Sequence, residues 1–296
     1  MAKTTLPELI ASEAVILADG GMGTMLMALG LKPGDTPELR NVERQDDVRG
    51  IHRGYIEAGA QIILTNTFGG NRRRLMHRDL GGRVAELNRA AASLARAEAD
   101  AAGAPVVVGG SIGPSGRLMA PLGDLTYAEA VEIFEEQAAA LVEGGVDVLW
   151  VETMSDLNEL QAAVEGCRST APDFPMVATM TFDSHGHTSM GVSPQAAVDK
   201  LAEMGLLGFG GNCGNGPDEI ERVIQEMRSL SPEAVLIAKA NAGLPHMVDD
   251  RQVYDATPEI MGEHAMRVKE LGASIIGACC GSTPEHIRVM GQALKG

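Results

Sequence analysis

The chain has 296 residues, 45% of them hydrophobic and 22% charged, with a formal net charge of −16. This is the profile of a globular protein of one large or two ordinary domains, and its acidity argues against nucleic acid or an anionic membrane as partner. No run approaches the roughly 20 apolar residues that cross a bilayer, the start "MAKTTLPELIASEAVILADGG" lacks a secretory pattern, and four cysteines are too few for a disulfide scaffold. The expected compartment is therefore the reducing cytoplasm.

Eight short β-rich runs follow in order: "AVILADG" (Ala14 to Gly20), "QIILTNTF" (Gln61 to Phe68), "PVVVGGSIGP" (Pro105 to Pro114), "VDVLWVET" (Val146 to Thr153), "PMVATMTF" (Pro175 to Phe182), "GFGGNCG" (Gly208 to Gly214), "VLIAKANAG" (Val235 to Gly243) and "SIIGACCG" (Ser274 to Gly281). They are near-continuous in apolar character, as strands buried on both faces should be. "GFGGNCG" is glycine-rich and carries the weakest strand signal. Helical patterns lie between the runs: "YAEAVEIFEEQAAALVEGG" puts Val131, Phe134, Ala138 and Leu141 on one face, and "SPQAAVDKLAEMG" opens with Ser193 as N-cap and Pro194 at the first helical position.

Alternation of strand and helix implies a parallel sheet. Eight strands, with no G-x-G-x-x-G opening the first helix, predict an α/β fold, a single (β/α)8 TIM barrel over residues 1–296, in preference to a doubly wound open sheet.

Nearly every run ends in small or polar residues, which a barrel gathers on the face that carries active sites. Asp19, Gly20, Gly21, Thr67, Ser111, Glu152, Thr153 and Asn241 fall there, and so do three cysteines. Cys213 ends the sixth run and Cys279 and Cys280 the eighth, 66 positions on but close around a rim. Three converging thiolates suit Zn²⁺ with a fourth position open to substrate. Gly277 and Gly281 are expected to free the backbone so that both adjacent cysteines face the ion. A strained vicinal disulfide used as a redox switch is the competing reading. Cys167, inside a helical pattern, reads as structural, and the histidines of "SHGHTS" (Ser184 to Ser189) as part of a polar loop.

The segments "GACCGSTPEHI" (Gly277 to Ile287), "GGNCG" (Gly210 to Gly214), "VETMSD" (Val151 to Asp156), "TNTFGGN" (Thr65 to Asn71), "ADGGMGT" (Ala18 to Thr24) and "KANAGLP" (Lys239 to Pro245) together resemble the homocysteine S-methyltransferase family, in order and along essentially the whole chain. The resemblance implies a zinc barrel in which Cys213, Cys279 and Cys280 hold one Zn²⁺ and the homocysteine thiolate takes the open position, to leave as methionine. It implies that Asp19, Gly20, Gly21 and Glu152 meet the amino-acid end of homocysteine, with Thr67, Thr153 and Asn241 alongside and Glu152 as the catalytic carboxylate.

For the methyl donor the expectation is a small onium compound such as betaine. Alternatives are a sulfonium such as S-methylmethionine, or methylcobalamin on a separate corrinoid protein. A quaternary ammonium prefers an aromatic cage, and only Phe68, Phe182 and Tyr127 fall near the mouth. Trp150 lies within a strand, and Arg40 stands in "TPELRN", where betaine-using relatives usually carry tryptophan. From a different class, the chain could be a non-catalytic zinc or thiol redox sensor.

Overall fold

The structure, a computed structural model, describes residues 4–183, 185–244, 246–248 and 251–296. Its strands are β1 (Ile16–Leu17), β2 (Ile62–Leu64), β3 (Val107–Ile112), β4 (Val148–Met154), β5 (Met176–Met180), β6 (Gly208–Cys213), β7 (Leu236–Ala240), β8 (His246–Val248), β9 (Arg251–Val253) and β10 (Ala273–Ala278). Eight of them pair in parallel in the order β1-β10-β7-β6-β5-β4-β3-β2, and a parallel bridge from Ala18 to Ile62 joins the two ends. The sheet is thus a barrel, and the open alternative is excluded because neither edge is left unpaired. Each predicted run overlaps one barrel strand, with β4 reaching one residue past its run at Met154 and β10 starting one residue before its run at Ala273.

Interior and outer layers are separate apolar clusters. Inside the barrel, Ile62, Val107, Val148, Trp150, Val177 and Ile275 pack with Leu6 and Leu9. Those two leucines come from a helix, Leu6–Ser12, whose cap is reciprocal: Thr5 Oγ1 accepts from Glu8 N and Glu8 returns to Thr5 N. The helix closes the end opposite the polar strand termini. The outer helices start on caps visible in the sequence. Thr126, Asp156, Ser193 and Thr257 each accept a first-turn N–H, about 1 kcal/mol apiece.

The glycine content of β6 has a packing cause. A Cβ on Gly210 would collide with the Ile237 backbone of β7, so only glycine fits. One element was not legible in the sequence. β8 and β9 form an antiparallel hairpin between β7 and the helix Pro258–Glu270. Pro245 of "KANAGLP" and Ser184 of "SHGHTS" lie outside the described residues.

Candidate metal centre and active site

The three predicted cysteines converge. Their Sγ atoms lie within 4.8 Å of one another and form the one metal-capable cluster among the described residues. Cys213 Sγ is 2.9 Å from Cys279 Sγ. The thiols act on one another: hydrogen bonds from Cys213 and Cys279, with a smaller one from Tyr254, pull Cys280 well below the ordinary thiol value. Cys213 is pushed up, first by its hydrogen bonds to Cys279 and Cys280 and then by burial. Thiolate donors select zinc-type ions, and three of them leave a coordination position open, so the donor set fits the ion that the sequence implied. Cys167 is buried in the helix Leu157–Thr170, where burial pushes its thiol up to about 12, as expected of a structural thiol.

Local backbone geometry explains how the ligands are aimed. Cys213 has φ 59° and Thr153 φ 61°, left-handed conformations rare for such residues and costing about 1–3 kcal/mol each. Asn212 holds Thr153 there: its Oδ1 accepts from Thr153 N (2.9 Å) and Thr179 Oγ1 (2.7 Å), and its Nδ2 donates to Thr153 Oγ1 (2.7 Å). Cys279 and Cys280 lie just beyond the end of β10. Of the two glycines expected to free them, only Gly281 takes a left-handed φ, 83°. Gly277 does not. Its bare Cα instead admits the segment just after β1, since a Cβ there would lie 2.8 Å from Asp19 O and 3.0 Å from Ala18 Cβ.

The metal loops are stitched to each other and to the first loop. Asn241 Nδ2 donates to Gly214 O (2.8 Å), while its Oδ1 accepts from Cys280 N (3.0 Å). Asn241 therefore clamps the two cysteine loops, and it does not line the cavity in front of them. Ser282 Oγ accepts from Gly21 N (3.0 Å) and donates to Cys279 O (2.7 Å). Tyr55 Oη donates toward Gly21 O and Ser282 O (3.1 and 3.2 Å).

A cavity of about 610 Å³ opens in front of the thiols, within the range of ligand sites. Asp19, Gly20, Gly21, Thr67, Glu152 and Thr153 line it. Asp19 is not free. Its Oδ1 pairs with Lys239 Nζ at 2.6 Å, both side chains 2% exposed, and its Oδ2 accepts from Leu64 N (2.7 Å). Burial raises the Asp19 carboxyl while Lys239 opposes that rise. The Thr67 hydroxyl is also committed, donating to Ser111 O (2.7 Å) with Thr65 Oγ1 at 2.6 Å. Ser111 Oγ in turn donates to Glu152 Oε1. Burial, then the neighbouring Cys279, pushes the Glu152 carboxyl up to about 7, against the pull of Ser111 and Lys239. Of the backbone N–H groups in the glycine turn, Gly21 is taken by Ser282, whereas Gly20 has no partner among the described residues.

Of the candidate aromatics only Phe68 lines the cavity, 37% exposed. Phe182 and Trp150 are fully buried, the Tyr127 hydroxyl bonds Glu165, and Arg40 pairs with Asp47 at 2.7 Å. Sequence reasoning gave no role to Lys239, Asn212, Ser282 or Tyr55. The first carried a signal, a lysine within an otherwise apolar strand.

Fold and site together define a (β/α)8 barrel with a three-thiol centre facing a small-molecule cavity. A sequence model of the homocysteine S-methyltransferase family matches residues 16–294, and the chain belongs to that family. It is 35% identical over 301 residues to the methionine synthase of Mycobacterium tuberculosis and 34% over 307 residues to that of Mycobacterium leprae, covering 96% and 98% of this chain. It spans about a quarter (25%) of the length of those curated relatives. Among solved structures, the metallated form of the Escherichia coli homocysteine methyltransferase MmuM superposes with a TM-score of 0.81 at 24% identity, covering 97% of this chain and 99% of that one. The oxidized form also gives 0.81, at 23% identity and 98% and 99% coverage, and at such identities the likeness is one of fold. No helix among the described residues is long and apolar enough to cross a membrane.

Proposed function

We propose that residues 1–296 act as one homocysteine-binding barrel that moves a methyl group to the thiol of homocysteine, giving methionine. Cys213, Cys279 and Cys280 would hold one Zn²⁺, and a small onium such as betaine would supply the methyl group. The observation that carries this reading is the convergence of three Sγ atoms within 4.8 Å at the head of the cavity. Bound zinc would supply Lewis acidity that keeps a coordinated substrate thiol deprotonated at neutral pH.

The chain's residues supply the rest. The Glu152 carboxylate, oriented by Ser111, suits the substrate ammonium, and the unpartnered Gly20 N–H suits its carboxylate. Asp19 is fixed by Lys239 and contributes shape and field. The transfer is a displacement: the sulfur–methyl bond forms as the methyl–nitrogen bond breaks, and the electron pair leaves with a neutral amine. Alignment of the two substrates in one cavity is the main catalytic contribution. The chemistry requires reduced thiols, consistent with a cytoplasmic setting.

A second reading keeps the homocysteine half and changes the donor. Similarity to two methionine synthases is the observation on its side, and the candidate donor is methylcobalamin on a separate corrinoid protein. The redox-sensor reading is separated by the same assay. Purified zinc-loaded protein with homocysteine is offered betaine, sulfoniums or methylcobalamin, and methionine is measured. About one zinc per chain and methionine from at least one donor are expected. Full zinc content in a Cys213→Ala, Cys280→Ala double variant would refute the centre, and a reversible disulfide with no methionine would favour the sensor.

A further inference from the structure

Glu152 and Thr153 reach the cavity through an irregularity in β4. Val151 pairs with Ala178 and Met154 with Met180, so two β4 residues face the single β5 residue Thr179 between those pairs. This is a β-bulge, a device that re-aims side chains beside a site. Thr153 is its strained member, at φ 61°.

The bulge is held from a third strand. Asn212 of β6 reaches past β5 to β4. It is fully buried and stands behind the cavity wall, so it acts only through its neighbours. Its oxygen gathers Thr153 N and the Thr179 hydroxyl, and its amide nitrogen closes on the Thr153 hydroxyl. A second path runs alongside: Thr181 N donates to Met154 O (3.0 Å), and Thr181 Oγ1 accepts from Gly214 N (3.3 Å). Between Asn212 and Gly214 sits Cys213, itself left-handed at φ 59°.

The bulge that aims Glu152 and the turn that aims a metal ligand are therefore one hydrogen-bonded unit with a strained residue at each end. Strained backbone persists only where its surroundings over-determine it. A metal on Cys213 Sγ adds such a constraint at one end. Without it, Cys213 is free to relax and Asn212 to follow, which releases Thr153.

Resting on the homocysteine reading above, we infer that Asn212 is a positioning residue that couples zinc binding to recognition of the amino-acid end of the substrate. Zinc then does more than receive the substrate sulfur. It fixes the Glu152 bulge, so even an amino acid without sulfur binds the loaded protein more tightly. By linkage, that amino acid tightens zinc by the same factor.

The test uses L-2-aminobutyrate, which keeps the ammonium and carboxylate of homocysteine and lacks the thiol. Calorimetric titration of reduced zinc-free and zinc-loaded protein is expected to show zinc lowering its Kd fivefold or more in the parent, and less than twofold in Asn212→Ala. Thr179→Val, which removes one donor and keeps the shape, should fall between. Competition against a chelator should show the reciprocal gain in zinc affinity with L-2-aminobutyrate in the parent and its loss in Asn212→Ala. A zinc effect below twofold in the parent overturns the proposal. So does an effect undiminished in Asn212→Ala, which is what the field of the ion alone, or an Asn212 that only supports the fold, would give. Homocysteine binding with zinc affinity unmoved by L-2-aminobutyrate overturns it as well. Zinc-loaded parent that binds neither compound would instead remove the homocysteine reading itself, and this inference with it.

Discussion

Single residues at the mouth do work that their positions in the sequence did not announce. Asn241 is the clearest case. Its place at a strand end suggested contact with substrate, yet both ends of its amide are used to tie Gly214 O to Cys280 N. Outer groups that orient metal ligands typically change affinity 10- to 100-fold when removed. Asn241→Ala is therefore expected to weaken zinc binding by about that factor with the barrel intact, read by competition against a chelator; unchanged affinity would contradict the clamp. Lys239 is the second case. Replacing it with methionine leaves the buried Asp19 carboxylate without its partner, and breaking such a pair costs about 3–5 kcal/mol. Urea unfolding of Lys239→Met should show that loss, and adding Asp19→Asn should restore part of it. The cysteines themselves were legible because thiols at strand ends are anomalous for a residue type that is usually buried. Lys239 and Asn212 were harder to see because their partners, Asp19 and Thr153, lie 220 and 59 positions away.

At the scale of elements, the sequence signalled regular packing well and irregular loops poorly. The eight barrel strands showed as apolar runs because a parallel strand is buried on both faces. The β8–β9 hairpin did not: the described β8 residues are exposed, so no burial pattern marks them. "GFGGNCG" looked weak because propensity disfavours glycine in strands, whereas the need for it is tertiary, the approach of β7 at Ile237. Gly210→Ala is expected to destabilise the fold by more than about 3 kcal/mol, seen as lost soluble yield or a depressed unfolding temperature. Gly82, whose Cβ would meet nothing, is the control, and Gly82→Ala should cost little.

For the whole molecule, the barrel brings strand ends spread along the entire chain to one rim, which is why a site with ligands 66 positions apart could be anticipated. What topology could not supply was the state of the buried ionisable groups. His52, fully buried with neither ring nitrogen bonded among the described residues, has its pKa lowered by burial from 6.5 to about 4. The folded state holds the neutral ring, so the unfolded chain binds the extra proton between those values. Stability from this group is complete above about pH 6.5 and is lost as pH falls toward 4, by about 3 kcal/mol. Chemical denaturation from pH 7 to 4 should show that decline, and His52→Leu should flatten it; an unchanged slope would show that His52 is not its source.

The central claim is that three cysteine thiolates hold one zinc ion whose open position receives the homocysteine sulfur. X-ray absorption at the zinc edge of the loaded protein, with and without homocysteine, tests it most directly. The account predicts three sulfur ligands plus one nitrogen or oxygen in the free protein and four sulfurs once homocysteine is added. A sulfur count that does not change on adding saturating homocysteine, or one below three at the start, would contradict it.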